Sequence, residues 1–231
     1  MCTSFPRLIV LAVLAVLATS VPTLAQMQPV DELASYKGLH AAAAKGDAAE
    51  IARLIATGAR LEARDPHKRT PLHVAFLLRK QEAAEALIKG GADVKALEMQ
   101  KYDMITIAAV NNDLPMLRLA LASGGDPKAV TSPYDGTALI AAAHLGHAEV
   151  VRVLIAAGAP LDHVNNLKWT AALEAVMLGD GGAGHVETIE ALVKAGANVN
   201  IADDGGMTPL AHARARKYDA MVRILEAAGA K

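Results

Sequence analysis

The chain has almost no cysteine, few aromatic residues and almost no net charge. Its 231 residues contain one cysteine, Cys2, and 3% aromatic residues, and the formal net charge is −1. Beyond Cys2 the sequence offers no disulfide, no thiolate nucleophile and no cysteine-based zinc site. The shortage of aromatic residues disfavours a β-sandwich. The near-neutral charge gives no reason to expect nucleic acid or anionic lipid as a partner.

Charge is also missing from the first part of the chain. Arg7 is the only charged residue before Asp31, and an uncharged apolar run occupies residues 8–18. Eleven helical residues cannot cross a hydrocarbon core of about 30 Å. A basic start, an apolar core and the small residues of Thr23-Leu24-Ala25 predict a secretory signal peptide over residues 1–25, cleaved after Ala25. The alternative is a retained N-terminal anchor. We expect a periplasmic or secreted protein, and the short leader with a cysteine-free body favours a bacterial periplasm.

Internal repeats dominate the rest of the sequence. Glycine followed by alanine or glycine recurs with steps of 33, 33, 34, 38 and 33 residues, at Gly58, Gly91, Gly124, Gly158, Gly196 and Gly229. An apolar anchor stands nineteen residues before five of these glycines, at Leu39, Leu72, Ile105, Leu139 and Leu210. Such a period is typical of stacked supersecondary units, none of which buries its apolar face alone.

Each unit also carries a short signature. The second unit reads Thr70-Pro71-Leu72-His73-Val74-Ala75, and the sixth begins Thr208-Pro209-Leu210. Threonine suits a helix N-cap, and proline suits the first helical position. With the 33-residue period, these motifs resemble the ankyrin-repeat family over roughly residues 31–231. The resemblance implies an all-α ankyrin-repeat solenoid of about six stacked helix–turn–helix units with short β-hairpin-like fingers.

The predicted organisation follows the glycine steps. A lead-in covers residues 26–35 and the ankyrin-repeat domain covers 36–231, with repeats at approximately 36–65, 66–98, 99–131, 132–165, 166–203 and 204–231. The third repeat is expected to be slightly irregular, because Asp103 replaces the capping threonine and Pro115 starts the second helix. The glycine-rich residues 179–184 are expected to form a flexible loop that projects from the back of the stack.

Candidate chemistry is sparse. Eight histidines invite a metal site, but no third or fourth ligand is spaced to join His144 and His147. The glycine-rich segment lacks the lysine and hydroxyl residue of a phosphate loop, and none of the three serines of the mature chain lies in a nucleophile elbow. We therefore predict a protein that is not an enzyme, with no catalytic residue, no metal and no cofactor.

The candidate binding residues come from the repeat register. The position just before the helix cap holds Arg69, Tyr102, Trp169 and Met207, and His67 and Tyr134 lie near it. Exposed tryptophan, tyrosine and arginine dominate protein interfaces, so these six residues are predicted to form an exposed partner-binding face on the concave side of the solenoid. The alternative is that Trp169 packs against its own finger.

The functional prediction is a non-catalytic, monomeric protein-binding module with a protein partner of unknown identity, no nucleic acid and no membrane after cleavage. The sequence resembles the small periplasmic ankyrin-repeat proteins of proteobacteria, which implies support of an exported catalase or another stress-response enzyme. Three alternatives stay open: an immunity-type inhibitor of a secreted toxin, a metal-dependent enzyme and a structural spacer.

Overall fold

The computed structural model describes residues 30–231. A short helix, α1 (Val30–Ser35), lies in the predicted lead-in, and residues 37–231 form a separate compact unit. The predicted signal peptide and its cleavage point lie outside the described residues. Among the helices of this part of the chain, none is long and apolar enough to cross a membrane.

The compact unit consists of six consecutive helix pairs. The first helices are α2 (Gly38–Lys45), α4 (Pro71–Leu77), α6 (Met104–Val110), α8 (Ala138–His144), α10 (Ala171–Met177) and α12 (Pro209–Arg216). The second helices are α3 (Ala48–Ala56), α5 (Gln81–Lys89), α7 (Leu114–Ala122), α9 (Ala148–Ala156), α11 (Ala183–Lys194) and α13 (Asp219–Ala227). Each first helix packs against its own second helix and against the first helix of the next pair, which confirms the predicted all-α stack of helix–turn–helix units.

The first helices begin as the signature predicts. The side chains of Thr70, Thr137, Thr170 and Thr208 each accept a hydrogen bond from the backbone N–H three residues later. His73 completes a capping box by accepting the N–H of Thr70 on Nδ1 at 3.1 Å. These bonds satisfy backbone donors that the first helical turn leaves open. All seven residues of α4 and of α10 are buried, so the first helices of the inner repeats form the centre of the core.

The second helices end as the glycine period predicts. The six periodic glycines have φ between 80° and 97°. Residues with a Cβ avoid this left-handed region, whereas glycine adopts it at no steric cost. Each of the first five glycines therefore turns the chain out of the helix and into the connection to the next pair, and Gly229 ends the last helix in the same way.

The third repeat is regular, contrary to the expectation from its sequence. Asp103 replaces threonine as the N-cap and accepts the Thr106 N–H at 2.8 Å. Pro115 lies in the first turn of α7, where a missing N–H costs nothing. Helices α6 and α7 consequently have seven and nine residues, the same lengths as α8 and α9.

The glycine-rich segment of the fifth repeat is packed, so the expectation of a projecting loop was wrong. Gly184 lies within α11, which has twelve residues where α9 has nine. A Cβ on Gly179 would lie 2.2 Å from the Ala175 carbonyl oxygen, and one on Gly184 would lie 2.5 Å from that of Gly146. The insertion lengthens a helix, and its glycines permit close backbone contact.

Candidate partner-binding surface

Five connections between repeats, here called fingers 1 to 5, carry the candidate site. They cover residues 58–70, 91–103, 124–137, 158–170 and 196–208, from the glycine that ends one repeat to the cap that opens the next. Four of them close with a backbone bond from one residue to the carbonyl four positions later, such as Asn165 N–H to Trp169 O at 3.0 Å. Finger 3 has one more residue, and Val130 and Thr137 form an isolated antiparallel bridge there.

A buried or half-buried side chain holds each fingertip. Asn165 Oδ1 accepts the N–H groups of Leu167 and Trp169, both at 3.0 Å. Asp65, Glu98 and Ser132 accept the equivalent pairs of N–H groups in fingers 1 to 3. In finger 5, Asp203 accepts the N–H of Met207 at 2.9 Å. These acceptors replace the water that would otherwise bind the turning backbone.

Side chains alternate between buried and exposed along each finger. In finger 2, Val94, Ala96 and Glu98 are buried, whereas the residues between and beside them are exposed. Extended backbone places successive side chains on opposite faces. Each finger therefore has an inner face that packs and an outer face in contact with solvent.

Most of the predicted binding residues lie on the inner face. Arg69 is 4% exposed and Trp169 is 7% exposed, so the expectation that they form an exposed edge was wrong. His67, Tyr102 and Tyr134 are half-buried, and Met207 is the exposed member of the six. Burial raises the pKa of Tyr102, with Glu98 acting in the same direction. A role of these six residues in partner binding stays a prediction.

The alternation of buried and exposed side chains along each finger explains why Arg69 and Trp169 were wrongly expected to be exposed. Trp169 lies four residues after Asn165 and shares its inner face, where both side chains are buried. The register counted from the helix cap correctly places Trp169 in a finger, but it does not distinguish the two faces. The alternation of burial along the chain decides the face, and it excludes Arg69 and Trp169 from the exposed one.

The outer faces of fingers 2 to 4 expose apolar side chains that the sequence analysis missed. Leu97, Val130 and Val164, here called the apolar row, are 42%, 46% and 41% exposed. Each lies six residues after the glycine that ends the preceding repeat, a signal that could have found them. Met99 and Met207 are 52% and 37% exposed. Among residues 33–231, whose exposure the structure describes, the large apolar side chains that are this exposed all lie in fingers.

Charge changes from the first finger to the last. Finger 1 has four basic residues (Arg60, Arg64, Lys68, Arg69) against two acidic ones (Glu62, Asp65). Finger 5 has two acidic residues, Asp203 and Asp204, and no basic one. The position that holds Leu97 in finger 2 holds Arg64 in finger 1, and Arg64 Nη1 donates to the Leu97 carbonyl at 2.6 Å. The apolar row thus begins beside a basic finger.

Backbone bonds join neighbouring fingers. The Met99 N–H donates to the His67 carbonyl at 3.0 Å, and the Asn166 N–H donates to the Tyr134 carbonyl at 2.9 Å. His163 Nε2 lies 2.6 Å from the Asp135 carbonyl oxygen and donates to it. These bonds fix the spacing of the exposed side chains before any partner binds.

The histidines mostly serve packing contacts. His40 Nε2 donates to the Arg69 carbonyl at 3.0 Å, and the side chain of His147 contacts the Ala109 carbonyl. His144 lies 3.1 Å from Glu174, a buried carboxylate that Asn165 also contacts at 2.9 Å. Burial lowers the pKa of His73 to about 4. Residues 30–231 bring together no three His, Cys, Asp or Glu side chains in positions to hold a metal ion.

Comparison with known proteins decides the family. A family model for ankyrin repeats, in three copies, matches residues 14–97 and 105–203. The chain belongs to the ankyrin-repeat family. It is 32% identical to the ankyrin repeat protein YahD of Escherichia coli (strain K12) over 190 residues, which cover 82% of this chain and 94% of that one.

Solved ankyrin-repeat structures are similar as well. An ankyrin repeat domain (ABAYE2397) from Acinetobacter baumannii AYE is 45% identical, with a TM-score of 0.80, over 84% of this chain and 98% of that chain. The ankyrin repeat domain of Bcl-3 is 27% identical with a TM-score of 0.76, over 85% and 88% of the two chains. Ankyrin repeats generally mediate protein–protein interaction, and this chain shares that architecture along its stacked repeats.

Proposed function

We propose that the protein is a non-catalytic binding module that acts outside the cytoplasm and holds its protein partner on the outer faces of fingers 2 to 4. The observation that carries the proposal is the apolar row, three side chains at one repeat position that are each more than 40% exposed. Aliphatic side chains held in contact with water favour burial by a partner. The polar side chains around them would form the rim of such an interface.

The position of the row on a fixed backbone also supports the proposal. Bonds between fingers and within fingertips hold the side chains in place before binding, which reduces the entropy that association costs. We therefore place the proposed partner-binding surface on the outer residues of the fingers and not on the inner residues Arg69 and Trp169. Half-buried Tyr102 and Tyr134 and exposed Met207 flank it.

Capture from periplasmic extract of the source bacterium tests the surface. The baits are the native chain, the row variant (Leu97→Ser, Val130→Ser, Val164→Ser) and the control Val153→Ser, which makes the same change on the half-buried side of helix α9. The expected result is one partner retained by the native chain and the control and lost by the row variant. A partner retained by the row variant would contradict the proposed surface.

The identity of the captured protein separates the biological roles. A catalase or another stress-response enzyme would favour a supporting role, and a secreted toxin would favour an immunity-type inhibitor.

The proposal that the protein is exported is supported by the leader pattern of residues 1–25 and has its own test. The intact mass of protein recovered from the periplasm is expected to start at Gln26, and an uncleaved cytoplasmic product would contradict that part of the proposal.

A further inference from the structure

We infer that helix α11 has two alternative starting points, Ala183 and Val186, and that protonation of His185 selects between them. The long form begins at Ala183 and is the one that the structure contains. The short form would begin at Val186, with His185 as its N-cap. This choice of starting point is independent of the proposed partner-binding surface.

The register of the repeat allows the short form. His185 lies eleven residues before the periodic glycine of its repeat, and His147 lies eleven residues before that of the fourth repeat. In the fourth repeat, Gly146 has a positive φ and His147 is the N-cap of the nine-residue helix α9. Gly184 and His185 stand in the same order, and residues 186–194 would again form a nine-residue helix. The insertion before Gly184 therefore leaves the signal for the ordinary start intact.

Two hydrogen bonds of the His185 ring hold the long form. Nε2 lies 2.9 Å from the His144 carbonyl oxygen, and Nδ1 lies 2.9 Å from Asp180 Oδ1. Both neighbours are acceptors, and a neutral imidazole has one N–H, so the ring donates both bonds only when it is protonated. Loss of the proton leaves a lone pair on Nδ1 facing the carboxylate. The Asp180 side chain is 80% exposed, so it then turns to water instead.

The first turn of α11 depends on this contact because its own residues favour a helix poorly. Gly182 is the N-cap and has no side chain to accept a backbone N–H, and Gly184 lies within the turn. Glycine inside a helix is unfavourable because it gives up more conformational freedom than other residues. Asp180 Oδ1 accepts the Gly182 N–H at 2.8 Å as well as the bond from His185. Release of Asp180 therefore weakens the start of the long form.

The proton that changes is the one on His185. The Gly182 N–H, and then His185, hold the pKa of the Asp180 carboxyl below its ordinary value, so this acceptor stays ionised throughout the range in which histidine titrates. The long form binds a proton on His185 that the short form does not need. The long form is therefore favoured at low pH, and its share falls as the pH rises.

Other ionisable groups face the start of α11 from neighbouring elements: His144, His147, Arg152, Glu174 and Tyr218. His144 lies 3.1 Å from Glu174, and Arg152 pairs with Glu187 of α11 at 3.0 Å. Burial lowers the pKa of His147, and the charge of His185 acts in the same direction. The Tyr218 hydroxyl donates to the backbone of the glycine-rich turn. A test must therefore separate His185 from these groups.

Amide hydrogen exchange measured by NMR tests the two starting points. In the long form the Val186 N–H donates to the Gly182 carbonyl at 3.0 Å, and the short form lacks this bond. We expect the protection of the Val186 N–H, corrected for the intrinsic exchange rate at each pH, to fall about tenfold between about pH 5.5 and about pH 8. The internal control is the Val151 N–H of α9, which donates to the His147 carbonyl at 2.9 Å and should keep its protection.

Asp180→Asn is the matched variant. The Asp180 side chain is exposed, so the change should leave the fold intact. The introduced amide donates to the neutral Nδ1 of His185, so both ring bonds form without a proton. We expect this variant to keep the Val186 protection at both pH values, whereas the native protein loses it at the higher one.

Four results would overturn the inference. The native protein could keep its Val186 protection at both pH values, or the His185 ring could be neutral at about pH 5.5 in nitrogen NMR spectra. An equal fall in Asp180→Asn would assign the change to one of the other ionisable groups. An equal fall at Val151 would assign it to a loosening of both repeats rather than to the start of α11.

Discussion

Fingers 1 and 5 share one backbone but carry opposite charge. Asp65 and Asp203 each accept the N–H four residues later, at 2.7 and 2.9 Å, and Lys68 and Gly206 each have a positive φ. The exposed side chains nevertheless change from basic to acidic. The comparison teaches that the inner acceptors and the helix caps determine the backbone conformation of a finger. The side chains of its outer face can differ without changing that conformation.

The largest expected effect comes from removing an inner acceptor. Asn165→Ala removes the acceptor of the Leu167 and Trp169 N–H groups and the amide donor to the buried Glu174 carboxylate, which keeps its contact with His144. Each buried group left unsatisfied costs about 1–3 kcal/mol, so we expect a loss of about 4 kcal/mol in the free energy of unfolding by urea denaturation. The exposed neighbour provides the control, since Asn166→Ala should cost less than about 0.5 kcal/mol. Equal effects of the two changes would refute the division between inner and outer faces.

A second inner group should make stability depend on pH. The pKa of His73 is lowered to about 4 by burial, whereas an unfolded histidine titrates near 6.5. The unfolded chain therefore binds a proton that the folded chain rejects, and stability falls as pH drops from about 6.5 towards 4. At about 1.4 kcal/mol per pKa unit, the loss approaches about 3 kcal/mol.

The control for this pH effect keeps the capping box. His73→Gln retains an acceptor at the same helical position but does not titrate. Burial raises the pKa of Glu98 and Asp103, and these groups change stability in the opposite direction as pH falls. The difference between native and variant urea midpoints isolates His73, and identical pH slopes would contradict the assignment.

The turn between helices α10 and α11 of the fifth repeat allows a similar comparison of a packed glycine with an exposed one. A Cβ on Gly179 would meet the Ala175 carbonyl oxygen and lie 2.6 Å from His185. We expect Gly179→Ala to lower the free energy of unfolding by about 2 kcal/mol, because overpacking forces the backbone apart. Gly205→Ala in finger 5 should cost less, since its Cβ would contact only Asp203 Oδ1 at 3.2 Å and the Asp203 carboxyl at 4.0 Å. A mobile segment at residues 179–182 would instead tolerate both changes equally in thermal unfolding.

The smallest effect on stability is expected on the outer face. Leu97→Ser, Val130→Ser and Val164→Ser remove side chains that are 41–46% exposed. Each change should alter the free energy of unfolding by less than about 0.5 kcal/mol, although we expect the three together to abolish partner capture. A cost above about 1 kcal/mol for any of them, measured by urea denaturation, would place that side chain in the core.

The sequence predicts the fold well because every repeat carries the same local signals for the start and the end of a helix. Capping by Thr70 and Thr208 and the positive φ of Gly58 and its equivalents follow from residue types at fixed spacing. The conformation of residues 179–184 could not be predicted in this way. Gly184 lies in the first turn of α11, where a Cβ would lie 2.5 Å from the Gly146 carbonyl oxygen, and this is a contact between distant parts of the chain.

The candidate site was less predictable than the fold. Residue type pointed to Trp169 and Arg69, but the face of a finger depends on a two-residue alternation that begins at each glycine. The insertion in finger 3 shifts the count from the helix cap by one residue, so Val130 aligns with Leu97 only when counted from Gly124. The apolar row became apparent once exposure was known for each residue.

Site-specific photocrosslinking in cells tests the central claim most directly. A photoreactive amino acid is placed at the outer positions 97 and 130, at the inner position 169 and at position 153 on helix α9. We predict one crosslinked partner from positions 97 and 130, with none from 169 or 153. A partner crosslinked from position 153 and absent from 97 and 130 would contradict the assignment of binding to the outer faces of the fingers.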